Sequence, residues 1–166
     1  MTNNRVSFLF LFLLFAVFSC DKPLENYQFI SVKNSNIGPE SVFAFEMDME
    51  KEISYQTFIS CRYNSSTVNS DTLLLLIKAR SPSGKKYVEE ITFPFHSDNE
   101  LISHKKCSGK LVDIQWPYRK DIQVDNDPGK WEIKIKILNN NGIKGILGMG
   151  LSYQGFLPES ENERKR

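Results

Sequence analysis

Histidine is nearly missing from this chain and cysteine is scarce, at two and three among 166 residues. A structural zinc centre normally needs four closely spaced ligands, and His104-x-x-Cys107 supplies one weak pair, with His96 and Asp98 as the only near neighbours. A polar loop between strands accounts for that segment more simply. Charge of one sign is also lacking: 21 Lys and Arg stand against 20 Asp and Glu, with no basic stripe to replace phosphate counterions. Nucleic acid is therefore set aside as a partner. No apolar run is longer than 6–18, no stripe repeats at 3.6 residues, and there is no internal repeat or low-complexity block. These absences argue against a membrane-spanning helix and a parallel α/β fold. No nucleophile elbow and no Gly-rich phosphate loop opening a helix are present, so no catalytic residue, no metal and no cofactor are assigned.

What is present begins at the N-terminus. Arg5, the only charge in the first nineteen residues, precedes the apolar run Val6 to Phe18, which meets Ser19 and Cys20 and then turns polar at Asp21-Lys22. At roughly 1.5 Å per residue such a run reaches about 20 Å, short of the ~30 Å hydrocarbon core, which suits an export signal better than a span. Val17-Phe18-Ser19-Cys20 resembles the lipobox of bacterial lipoproteins, in which the Cys thiol takes a diacylglyceryl group, the signal is cut before it and the new amino group is acylated. Val17 stands where Leu is usual and Phe18 is bulkier than the common residue. Cys20 is accordingly the expected lipidation site and a membrane the expected partner; several acyl chains hold durably where one would exchange. The alternative is an ordinary signal peptide followed by an incidental cysteine.

Four segments follow from this: a signal peptide at 1–19, a lipidated tether at 20–26, one domain at 27–157, and a disordered, charged tail at 158–166. Within the domain the dominant period is two. Phe43, Phe45, Met47 and Met49 alternate with Ala44, Glu46 and Asp48; Tyr55 to Tyr63 and Trp131 to Ile137 repeat the pattern. Leu73 to Ile77 reads as a strand covered on both faces, turned by Ser81-Pro82-Ser83-Gly84 into a partner through Tyr87, Glu89 and Ile91. A last strand runs through Leu147, Met149, Leu151 and Tyr153, and its glycines at 145, 148, 150 and 155 suggest bends or close backbone contact. Seven to eight short strands without a helical stripe predict an all-β, antiparallel β-sandwich.

Three further constellations carry alternatives. Asp125-Asn126-Asp127-Pro128-Gly129 has oxygen donors at alternate positions, as a calcium loop would, but lacks the downstream bidentate Glu and suits a plain turn. Trp116 and Tyr118, flanking Pro117, could form an exposed platform for a glycan or a partner, whereas Trp131 leads an apolar face and reads as core. Cys61 and Cys107 are an even pair that could form a disulfide in an oxidising compartment. Otherwise Cys61 is a buried small side chain in its strand and Cys107 a loose thiol.

Several pieces together resemble the GldH-type gliding motility lipoproteins. They are the lipobox, Asp71-Thr72-Leu73-Leu74-Leu75 running into Ser83-Gly84-Lys85, then Pro117-Tyr118-Arg119-Lys120, Gly129-Lys130-Trp131, and the closing Gly145-Ile146-Leu147-Gly148-Met149-Gly150-Leu151. The family's Gly-x-Trp-x-Gly-x-Gly loop is replaced here by Ser108-Gly109-Lys110-Leu111, which marks a distant member. The resemblance implies a lipid-anchored, non-enzymatic component of the cell envelope, at the outer membrane, partnered by proteins of the gliding and associated secretion machinery. A glycan-capturing outer-membrane lipoprotein is the alternative.

Overall fold

The computed structural model describes residues 25–95, 102–123 and 127–157. Cys20, the signal segment, most of the tether and the tail at 158–166 lie outside the described residues, as do His96, Asp98, Asp125 and Asn126.

The chain forms an antiparallel β-sandwich, with eleven strands among the described residues against the seven to eight expected. They are β1 (Glu25–Ser31), β2 (Asn36–Ile37), β3 (Val42–Met49), β4 (Ser54–Asn64), β5 (Thr72–Arg80), β6 (Lys86–Pro94), β7 (His104–Ser108), β8 (Leu111–Gln123), β9 (Gly129–Ile137), β10 (Ile143–Lys144) and β11 (Ile146–Phe156). One sheet has the order β1-β11-β4-β8-β7, the other β3-β9-β5-β6, and β2 and β10 form a small ribbon. β1 starts two residues inside the expected tether, because pairing with β11 carries the ladder out to Glu25 opposite Gln154.

The alternating segments behave as their pattern dictates. β3 buries every second residue, Phe43 to Met49, and β9 points Ile133, Ile135 and Ile137 into the same core. β5 is covered less evenly than its continuous apolar run suggests: Leu73, Leu75 and Ile77 are fully buried, while Leu74 and Leu76 face outward and are half-buried. A stacked aromatic flank closes the sandwich between β6 and β8. There Trp116 lies on Phe93 with ring centroids 4.8 Å apart, and Tyr63 meets Phe95 at 5.1 Å. Indole Nε1 of Trp116 donates to the Pro94 carbonyl at 3.0 Å, so the largest core side chain has its one polar atom satisfied.

The glycines of β11 are explained by close approach. A Cβ on Gly148 would lie 2.3 Å from the Phe29 ring, and one on Gly150 would lie 2.4 Å from Ser60 Oγ. The β1 aromatics Tyr27 and Phe29 thus lie over bare backbone on the outer face of the five-stranded sheet, filling a groove that side chains would otherwise occupy. Arg62 sits over Phe29 and makes a bidentate pair with Asp113.

Candidate functional site

Local irregularity in β8 builds the site. Pro117 falls where β8 has outrun β7, whose pairing ends at His104 opposite Gln115, so the missing N–H of proline breaks no ladder on that side. Beyond it the register with β4 shifts twice, between Phe58 and Thr57 and between Thr57 and Tyr55, leaving Tyr118 as an extra residue. Such bulges re-aim side chains. Thr57 Oγ1 fills the gap by accepting from Arg119 N at 3.2 Å.

At this end the sheets part around a cleft of about 440 Å³. Its apolar lining comes from Met47, Met49, Ala79, Ile122 and Ile133. One wall carries Tyr87 stacked on Trp131 at 5.7 Å with planes 25° apart; Trp131 Nε1 donates to Asp127 O at 3.1 Å, fixing the indole. The other carries Tyr118 and Arg119, both bonded to Glu89 from β6: Tyr118 OH donates to Oε1, and Arg119 Nη2 lies 2.6 Å from Oε2. The Arg119 guanidinium also sits 5.7 Å from the Tyr118 ring centre. An apolar concavity with a few convergent polar groups is the usual form of a small-ligand or side-chain pocket.

The electrostatics follow from that triad. Burial raises the Glu89 carboxyl, but the hydrogen bonds from Arg119 and Tyr118 and the charge of Arg119 outweigh it, and the net shift is downward. Desolvation and the donation to Glu89 push the Tyr118 phenol well above its ordinary range, so it remains a neutral donor. The sign for stability is set by the carboxylate. A folded-state value below the unfolded one means that the triad contributes fully above the ordinary carboxylate range and is lost as pH falls through the lowered value. Acid titration followed by tyrosine and tryptophan near-UV circular dichroism should show a step in that window. Glu89→Gln should abolish the step, and a step of equal size in that variant would contradict the triad.

The sequence-predicted site residues scatter. Trp116 is fully buried on the core side and offers no platform, because β6 covers it; Tyr118 does reach the cleft. Trp131, expected in the core, is half-buried at the open end beside an exposed Tyr87. Periodicity places Trp131 on the inner face correctly but carries no information about where the two sheets part. Glu89 and Arg119 had no sequence signal as a pair, since a bulge in one strand and a hairpin in another bring them together.

The expected loop around His104 and Cys107 is strand β7, recruited by pairing with β8. Both Cys61 and Cys107 are free thiols. β8 runs between them, Cys61 pairing with Ile114 and Cys107 with Val112, so a bridge would have to cross an intervening strand. Cys61 is buried, which raises its thiol far above the ordinary range, and Cys107 is exposed. Maleimide labelling of the native protein with peptide mapping should therefore modify Cys107 and spare Cys61 until denaturant is added. Asp127 is occupied by Ser83, accepting from its N at 2.9 Å and from its hydroxyl, as a clasp to the β5–β6 turn. Among the described residues no three His, Cys, Asp or Glu side chains gather as a metal site.

No family model and no curated protein matches the chain. Among solved structures it is similar to part of a family GH115 4-O-methyl-alpha-glucuronidase with specificity for decorated arabinogalactans, at TM-score 0.37 and 13% identity. That match covers 80% of this chain and 18% of the enzyme. A protein from Sulfurospirillum deleyianum is similar at TM-score 0.35 and 11% identity, over 81% of this chain and 99% of the other. At these TM-scores neither likeness bears on function.

Proposed function

We propose that the protein is a lipid-anchored component of the cell envelope, held at the outer membrane through Cys20, that acts by binding other molecules rather than by chemistry. The observation that carries this is the order Arg5, apolar 6–18, Ser19, Cys20, with polar sequence directly after. The resemblance to GldH-type lipoproteins points to proteins of a gliding and secretion machinery as partners. The fold supports a short leash: with β1 starting at Glu25, residues 20–24 extend at most about 17 Å at ~3.4 Å each, which keeps the sandwich beside the bilayer. Glu25 pairs with Gln154, and β11 then reaches the exposed Phe156 and Leu157 at the same end of the sheet.

Fractionation tests the anchor. The parent should sediment with membranes and resist extraction by salt, whereas Cys20→Ser should accumulate uncut or leave the membrane fraction; identical maturation and membrane retention would refute the tether. Deletion of the protein should disturb surface spreading or protein export. Normal spreading and normal export would remove the motility assignment alone.

The aromatic cleft supports a second reading, capture of a glycan, with Trp131, Tyr87 and Tyr118 in place of Trp116. Calorimetry against common polysaccharides should then show binding that Trp131→Ala abolishes; silence across the set would dismiss it.

A further inference from the structure

The edges of the two large sheets are not equally protected. On the C-terminal half of β3 the outward amides are capped by side chains of the other sheet: Glu46 N donates to Gln28 Oε1 at 3.2 Å and Asp48 N to Tyr153 OH at 3.0 Å. Just past the strand, Glu50 N donates to Tyr55 OH at 2.7 Å. Gln28 Nε2 returns a bond to the Glu46 carbonyl, so one amide side chain stitches β1 to β3 and closes that flank. β7 is five residues long and carries His104, Lys105 and Lys106.

β6 is different. The bonds from Ser81 N to Lys85 O and from Phe95 N to Asp71 O bracket the β5–β6 hairpin and fix its phase. Hydrogen-bonded pairs alternate along an antiparallel ladder, so Tyr87, Glu89, Ile91 and Phe93 bond to β5, while Lys86, Val88, Glu90 and Thr92 turn their N–H and C=O groups to the open edge. Among the described residues no side chain caps those groups. Tyr87 and Val88, on this edge, are 51% and 61% exposed. A regular nine-residue edge with exposed apolar side chains is a ready template for another strand.

We infer that β6 pairs with β6 of a second copy of this chain, antiparallel about a two-fold axis at Val88. This register sets Val88 against the partner's Val88, Lys86 against the partner's Glu90, and Glu90 against the partner's Lys86, all on the outer face. On the inner face it sets Tyr87 opposite the partner's Glu89. Opposite charges directly across an antiparallel pair are stabilising, and the two-fold repeats each pair. Neighbouring registers lack this match: centring on Glu89 opposes two carboxylates, and centring on Tyr87 puts Lys86 against the partner's Val88.

At the axis the cleft mouths of the two copies, each lined by Tyr87 and Glu89, would meet.

The test uses the full chain in native envelopes. With Cys107→Ser as background, Val88→Cys treated with a thiol oxidant such as diamide should give a band at twice the monomer mass. Val42→Cys, 54% exposed on β3, whose C-terminal half is stitched to the other sheet, should stay monomeric. Lys86→Glu should lower the yield about tenfold, and adding Glu90→Lys should restore it. Cross-linking of Val88→Cys no greater than that of Val42→Cys would overturn the inference. So would a dimer indifferent to Lys86→Glu, or a Val88→Cys adduct whose mass shows another protein on the edge.

Discussion

Trp116→Ala is expected to cost about 3–5 kcal/mol of stability, the range for emptying a fully buried indole site. The side chain has no exposed surface, stacks on Phe93, meets Phe95 edge-on at 6.3 Å and donates to the Pro94 carbonyl. Truncation would leave a cavity between β6 and β8 and an unsatisfied carbonyl together. Urea denaturation of the soluble protein beginning after Cys20 would read this directly as a lowered midpoint. Trp131→Ala removes an equally large residue from a half-buried position and should cost less than half as much, because water already reaches the cleft. Equal losses for the two variants would mean that the cleft end is as tightly packed as the centre.

The second large effect is expected at Gly145, between β10 and β11. Its φ of +82° is strained for any L side chain, and a Cβ would lie 2.7 Å from both Val68 N and Thr67 Oγ1. The backbone cannot withdraw easily, since Gly145 N donates to Ser35 O at 2.7 Å and Asn64 N donates to Gly145 O at 2.8 Å. Strain and overlap each cost about 1–3 kcal/mol, so Gly145→Ala should lose roughly 3 kcal/mol in the same denaturation experiment. A loss below about 1 kcal/mol would show that the 64–68 turn yields and that the tie between it and the chain before β2 is slack.

Both effects bear on how much the sequence disclosed. β3, β4 and β9 were legible because one face of each is buried and the other more open, and β11 because its large apolar residues alternate with glycine and serine; both write period two into the residues. β7 and β8 were not. His104 to Ser108 is exposed at all five positions and so carries no alternating apolar face, and Pro117 inside β8 argues against a strand until one sees that β7 has already ended there. β1 shows little alternation, since its aromatics are recruited by the bare backbone of Gly148 and Gly150. The glycines themselves did announce close contact.

The candidate site was less legible for a related reason. A cleft forms where two sheets stop fitting, and that depends on bulges and on the lengths of strands from distant parts of the chain. Tyr118 was singled out by its neighbourhood to Pro117, and the structure does place it at the site. Trp116 and Trp131 exchange the roles that their flanking residues suggest: the first is covered by the last residues of β6, the second lines the cleft where the two sheets part.

The central claim, a strand-built body tethered by acyl chains on residue 20, is open to one direct measurement: mass spectrometry of the N-terminal peptide of the protein extracted from native membranes. The expected species begins at Cys20, with a diacylglyceryl group on sulfur and an acyl group on the new amine. A mature N-terminus elsewhere, or an unmodified Cys20 in membrane-bound protein, would contradict it.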